Sequence, residues 1–174
     1  MTLQKFLHRF VPARSHRAFV LSVLLFGSVA SYWTINLLLF SVVEVDGESM
    51  YPTLSDGGRH ILQRWRYLIR DPQRGDIVAI LDPLDEGLSV KRIIALPMEE
   101  VKFVRGEVLI NGERIDEPYL IEPRMTFPAK RQLMRIQLGK MDYLVLGDNR
   151  RNSVDGRMYG PLERQRILGK IGRP

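Results

Sequence analysis

The chain has no cysteine, which excludes a disulfide framework, a thiolate metal site and a cysteine nucleophile. Histidine is scarce: His8, His16 and His60 are the whole supply. A zinc site of several imidazoles is therefore not expected. Acids are missing from residues 1–43, which carry Lys5, Arg9, Arg14 and Arg17 and so hold +4 of the net charge of +6. The other 131 residues balance 22 basic side chains against 20 acidic ones. That mixed surface, without aromatics interleaved among its arginines, is no nucleic-acid footprint.

What is present begins with an apolar run. Ala18 to Val43 is 26 residues without a formal charge. As a helix it would extend about 39 Å, more than a hydrocarbon core of about 30 Å. The run continues past Ser28-Val29-Ala30, a small-x-small pattern that could imitate a cleavage site, and outlasts a cleavable signal core of ~7–15 residues. The four cations before it place the N-terminus in the cytoplasm. The expected organisation is a basic cytoplasmic segment at 1–17, a transmembrane anchor at 18–43 and a domain on the far side at 44–174.

That domain reads as β. Apolar runs at 76–81, 89–96, 101–104, 108–110 and 143–146 are short and bounded by turn residues. Arg105-Gly106 and Asn111-Gly112 suit tight hairpins. No long amphipathic helix follows the anchor, only short turns near Tyr67–Arg70 and near the C-terminus. The expected fold is mainly β: a folded antiparallel or mixed sheet, or an open barrel, behind one N-terminal transmembrane helix. Residues 116–131, with Pro118, Pro123 and Pro128, read as a loop or flexible lobe.

A serine hydrolase with so little histidine needs another base. His60 reads as an ordinary strand or surface residue. A lysine can serve if its pKa, about 10.4 when free, is lowered by burial. Lys91 sits in a strand-like run, Leu88 to Leu96. Alternation puts Ser89, Lys91 and Ile93 on one face and Val90, Arg92 and Ile94 on the other. Taken alone, this run, the Gly47–Leu54 segment and the polar loop 147–157 each read equally well as surface features.

Taken together they resemble type I signal peptidases (leader peptidases) of the bacterial kind. The resemblance rests on Gly47-Glu48-Ser49-Met50 with Pro52-Thr53-Leu54, Arg74-Gly75-Asp76-Ile77-Val78, Val90 to Pro97, and Gly147 to Arg157 with Gly160-Pro161, in the family's order. It implies a Ser/Lys dyad with Ser49 as nucleophile and Lys91 as general base. Ser153 then orients the lysine amine through its hydroxyl. Asp155 and Arg157 form a structural ion pair beside the site, with Arg92 near it. Asp148 and Asn149 make the turn that places the loop, and Met50 faces the lipid. Val43, Val45 and Val90 are implied pocket residues for small side chains at substrate positions −1 and −3.

Three departures stand out. Gly47 replaces a serine that can assist the oxyanion, Met98 replaces a glycine after Leu96-Pro97, and Gly156 replaces a common serine.

The implied function is removal of signal peptides from exported preproteins by a single-pass enzyme of the inner (plasma) membrane. Its catalytic domain would lie on the periplasmic or extracellular side, close to the bilayer because Ser49 follows Val43 by six residues. Membrane lipid is an expected partner; no cofactor, metal or nucleic acid is implied. Other readings are a pilin- or conjugation-type processing peptidase, a repressor-like Ser/Lys autopeptidase, and an inactive membrane-bound peptide-binding module.

Overall fold

The computed structural model describes residues 13–123 and 125–172; residues 1–12, with Lys5, His8 and Arg9, lie outside. Two compact units are distinguished, 1–39 and 40–174.

The first is helix α1, Ala13–Leu39. Its stretch Arg17–Ile35 has mean hydropathy 1.8 and is long and apolar enough to cross a membrane. Phe19, Leu21, Leu24, Phe26 and Trp33 are all exposed. The polar side chains inside it are neutralised locally: Ser22, Ser28 and Thr34 donate to the carbonyls of Ala18, Leu24 and Ala30 at 2.8, 2.9 and 2.9 Å. A hydroxyl that bonds within its own helix suits an environment without water.

The helix ends at Leu39, four residues short of the expected anchor end. Residues Phe40–Glu44 form β1 instead. Val42 is 71% exposed and Val43 6%, the alternation of a half-buried strand. An uncharged run conceals this switch, because apolar length alone does not separate the end of a helix from the start of a strand.

The second unit is built from β1, β2 (Arg59–Gln63), a one-turn helix α2 (Arg66–Ile69), β3 (Ile77–Leu81), β4 (Leu88–Ala95), β5 (Glu100–Val104) and β6 (Glu107–Ile110). Then come β7 (Glu113–Arg114), β8 (Arg135–Gln137), β9 (Asp142–Leu146), α3 (Gly156–Tyr159), β10 (Leu162–Glu163) and β11 (Ile167–Gly172). One sheet runs β1-β2-β11-β3-β4-β9-β10 and a smaller one β7-β6-β5-β8. All the described pairings are antiparallel. The main sheet curls, so that Val43 of β1 and Val90 of β4 belong to one buried cluster with Met50, Leu62, Ala79 and Ile171. Laid flat at ~4.8 Å per strand, β1 and β4 would stand about 19 Å apart. A second cluster, including Phe103, Val108, Leu144 and Leu146, joins the smaller sheet to β9.

The two hairpin turns take the expected conformation, with positive φ at Arg105, Gly106, Asn111 and Gly112. Strands β2, β8, β10 and β11 were not expected. In β11 the sequence Ile-Leu-Gly-Lys-Ile-Gly looks too glycine-rich for a strand. Gly169 is needed there because a Cβ would lie 2.8 Å from Leu62 Cδ1. Residues 116–123 and 125–130 are irregular, as read from the prolines, but Thr126 is fully buried.

Candidate active site

Two loops and one strand bring the chemical groups together. Ser49 lies in the loop after β1. Gly47 turns the chain there at φ +89°, with its N–H held by Asp56 Oδ1 at 2.8 Å. Met50, the residue after Ser49, is fully buried in the main-sheet core and pins the chain there. This corrects the expectation that Met50 faces lipid: an unbranched apolar side chain next to the site fills the core instead.

Lys91 comes from the middle of β4. Its Nζ donates to Ser49 Oγ at 3.1 Å, and the residue is only 4% exposed. Among the described residues no carboxylate forms an ion pair with it. Burial pushes its pKa below the ordinary lysine value, partly offset by the more distant charges of Asp155 and Asp82.

Arg92, the next residue, points to the opposite face and is treated in the opposite way. It donates to Asp148 Oδ1 at 2.8 Å and to Asp148 Oδ2 at 2.6 Å, and to Gly75 O at 3.0 Å. Its guanidinium lies 4.0 Å from the centre of the Tyr119 ring. Arg92 was expected near the Asp155–Arg157 pair; its own ion pair is with Asp148. Thr53 Oγ1 also donates to Asp148.

Asp155 and Arg157 pair at 2.9 Å. Asp155 caps α3 through Arg157 N at 3.1 Å and takes the Gly147 N–H at 2.9 Å. This ties both ends of the 147–157 loop together. From the turn at its start, Asn149 N–H donates to Ser49 O at 3.0 Å. The loop therefore holds Ser49 by its own carbonyl.

Ser153 was expected to bond the lysine amine. Its Oγ is buried and without a partner among the described residues. It lies 2.2 Å from the place a Cβ on Gly147 would take, with Ser49 O 2.6 Å from that same point. Only a glycine lets the hydroxyl and the Ser49 carbonyl close around this spot.

Val43, Val45 and Val90 are 6%, 3% and 8% exposed. They form part of the core wall. His60 lies on β2 opposite Val43; its Nδ1 is buried, and among the described residues it has no partner and makes no bond to Ser49. Among the described residues no group of three or more His, Cys, Asp or Glu could hold a metal.

The departures from the family pattern have structural consequences. Met98 adopts φ +67°, so the turn after Pro97 forms with a strained residue. A Cβ on Gly156 would meet Leu144 Cδ1 at 2.7 Å and Val145 O at 2.9 Å. Ser49 N–H has no acceptor among the described residues and is free to donate to a substrate.

Thr53, Glu117, Tyr119, Thr126 and Arg150 are not singled out from the sequence, yet Arg150 of the 147–157 loop bonds Glu117 and Thr126, and Thr53 bonds Asp148. Thr53 and Arg150 sit inside the motifs and could have been found there. Glu117, Tyr119 and Thr126 lie in a proline-rich segment that carries no such signal.

Residues 16–173 match the family described as signal peptidase, peptidase S26. The chain is similar to a probable signal peptidase I-2 from Synechocystis sp., at 38% identity over 133 residues, which cover 72% of this chain and 58% of that protein. It is similar to a signal peptidase I from Bacillus amyloliquefaciens, at 37% identity over 150 residues, covering 82% and 77% respectively. A crystal structure of a signal peptidase I from Enterococcus faecalis V583 aligns at TM-score 0.50 and 28% identity, covering 59% of this chain and 98% of that one.

Proposed function

The chain belongs to the signal peptidase family, peptidase S26, and from that premise we propose that it cleaves signal peptides from exported preproteins with Ser49 as nucleophile and Lys91 as general base. One observation carries the residue assignment: the amine of a buried lysine, without a carboxylate partner among the described residues, lies 3.1 Å from a serine hydroxyl.

Burial disfavours the ammonium form, so the amine can be neutral at a pH where free lysine is charged. Neutral Lys91 then accepts the Ser49 proton as Oγ attacks the scissile carbonyl. The electron pair of that carbonyl moves to its oxygen, which the Ser49 N–H is free to stabilise. The intermediate collapses as the C–N bond breaks, and the lysine proton passes to the leaving amine. Lys91 next deprotonates a water that hydrolyses the acyl-enzyme. Gly47 brings no hydroxyl to the oxyanion, and its N–H is already given to Asp56.

Val43, Val45 and Val90, nearly closed to solvent, serve as the floor of shallow subsites that admit small side chains at −1 and −3. Asp155–Arg157 and Asp148–Arg92 hold the loop in register, and Ser153 supports the amine when substrate is bound. Helix α1 serves as the membrane anchor in contact with lipid, with the N-terminus in the cytoplasm and residues 44–174 on the other side.

The test uses full-length protein in detergent with a preprotein, beside Ser49→Ala and Lys91→Ala. Wild type should release the mature N-terminus and neither variant should do so. Cleavage by all three proteins, or by none, defeats the dyad.

A further inference from the structure

Residues 115–123 and 125–130, after β7, carry no regular structure and three prolines, yet they send one carboxylate deep into the catalytic loop. Glu117 is 9% exposed at its side chain and faces Arg150, 2% exposed, at 2.5 Å. Tyr119 donates to the same carboxylate at 2.8 Å. Arg150 also donates to Thr126 Oγ1 and, through Nε, to Gly147 O at 3.0 Å. The Arg150 carbonyl accepts from Arg157 at 2.7 Å. Arg150 is thus fixed at both its side chain and its backbone. The residue before it, Asn149, grips the Ser49 carbonyl at 3.0 Å.

A buried ion pair is a poor source of net stability, because desolvating two charges offsets most of their attraction. What such a pair does supply is a defined geometry. We propose that Glu117 is a positioning residue for Ser49, acting through Arg150 and the Gly147–Arg150 turn. This role rests on Ser49 being the nucleophile. Residues 117–119 then work as a strap: Glu117 fixes Arg150, Arg150 fixes the turn, and the turn sets the Ser49 oxygen against Lys91. Tyr119, stacked on Arg92, ties the same strap to the other side of β4.

The experiment measures kcat, KM and their pH profiles on full-length protein with a preprotein, well below each variant's Tm. Glu117→Gln keeps the size of the side chain and one acceptor for Arg150 while removing the charge. Its kcat should fall roughly ten-fold, as expected for a misplaced nucleophile, with KM within about two-fold. The acid limb of its profile should stay where it is in wild type. A loss of packing alone would readmit water around Lys91, raise the pKa of its amine and move that limb upward. Such a shift accounting for the loss, or an unchanged kcat, overturns the positioning role.

Glu117→Leu with Arg150→Met leaves no charge stranded. It should unfold cooperatively and lose at least as much kcat as Glu117→Gln, and wild-type turnover in it overturns the inference. Glu86→Gln, in the exposed pair with Arg166, should leave kcat unchanged. Ser49→Ala separates the two readings. If it cleaves like wild type, the nucleophile is wrong and the strap falls with it. If it is dead while Glu117→Gln turns over normally, the positioning role alone is lost.

Discussion

Lys91 and Arg92 are consecutive residues on one strand, both buried and both cationic by type, and the fold gives them opposite surroundings. Arg92 receives a bidentate carboxylate, a backbone carbonyl and an aromatic face. Lys91 receives a serine hydroxyl. A guanidinium cannot be neutralised in a protein, so burying it demands a partner. An ammonium can shed its proton, so burying it without a partner makes a base. Strand alternation lets one short run of sequence hold both solutions 180° apart.

Exchanging the charges for apolar groups separates the two sides most strongly. Lys91→Met should abolish cleavage, a loss of at least the 10²–10⁴-fold that general base catalysis typically contributes. It should at the same time raise stability at neutral pH. The folded pKa of Lys91 lies below its unfolded value. Between those two values the unfolded chain binds more protons, so wild-type stability rises with pH. The advantage of Lys91→Met should therefore be largest at neutral pH and shrink toward about pH 10.4, the value of free lysine. Thermal unfolding across pH checks this, and a variant less stable than wild type at neutral pH counts against it. Arg92→Met should go the other way, costing about 3–5 kcal/mol by leaving buried Asp148 unpaired. Denaturant titration reads this loss.

Two positions that bond neither cation sharpen the contrast through stability; of these Met98, outside the 147–157 loop, should leave turnover per folded molecule unchanged. Gly156→Ala drives a Cβ against Leu144 and the Val145 carbonyl and should cost about 1–3 kcal/mol. Met98→Gly removes a side chain from a left-handed backbone and should stabilise by up to about 1 kcal/mol. Unfolding midpoints and kcat measured side by side decide both.

The same contrast explains which parts were legible in the sequence. Ser49, Lys91 and the loop 147–157 stand in local motifs, and the tight hairpins at Arg105-Gly106 and Asn111-Gly112 carry their own turn chemistry. The core strands β3, β4, β5, β6 and β9 were visible as short apolar runs. Strands β1 and β11 were hidden for opposite reasons: one is the tail of an apolar run that reads as helix, the other is diluted by glycines that exist for close packing. The partners of Arg92 and Arg150 were hidden because they are long-range. Asp148 is 56 residues from Arg92, and Glu117 is 33 residues from Arg150. A pair of that separation leaves no periodic trace, and a proline-rich segment with two glutamates, Glu117 and Glu122, gives no hint that the first points inward.

The protonation state of a single amine decides the account. An NMR titration of the Lys91 side chain in the full-length protein, run beside the pH profile of kcat/KM, measures it directly. A Lys91 that serves as the base has a pKa below the free value of about 10.4, coinciding with the acid limb of the profile. An amine still charged at a pH where cleavage is already at its plateau contradicts it.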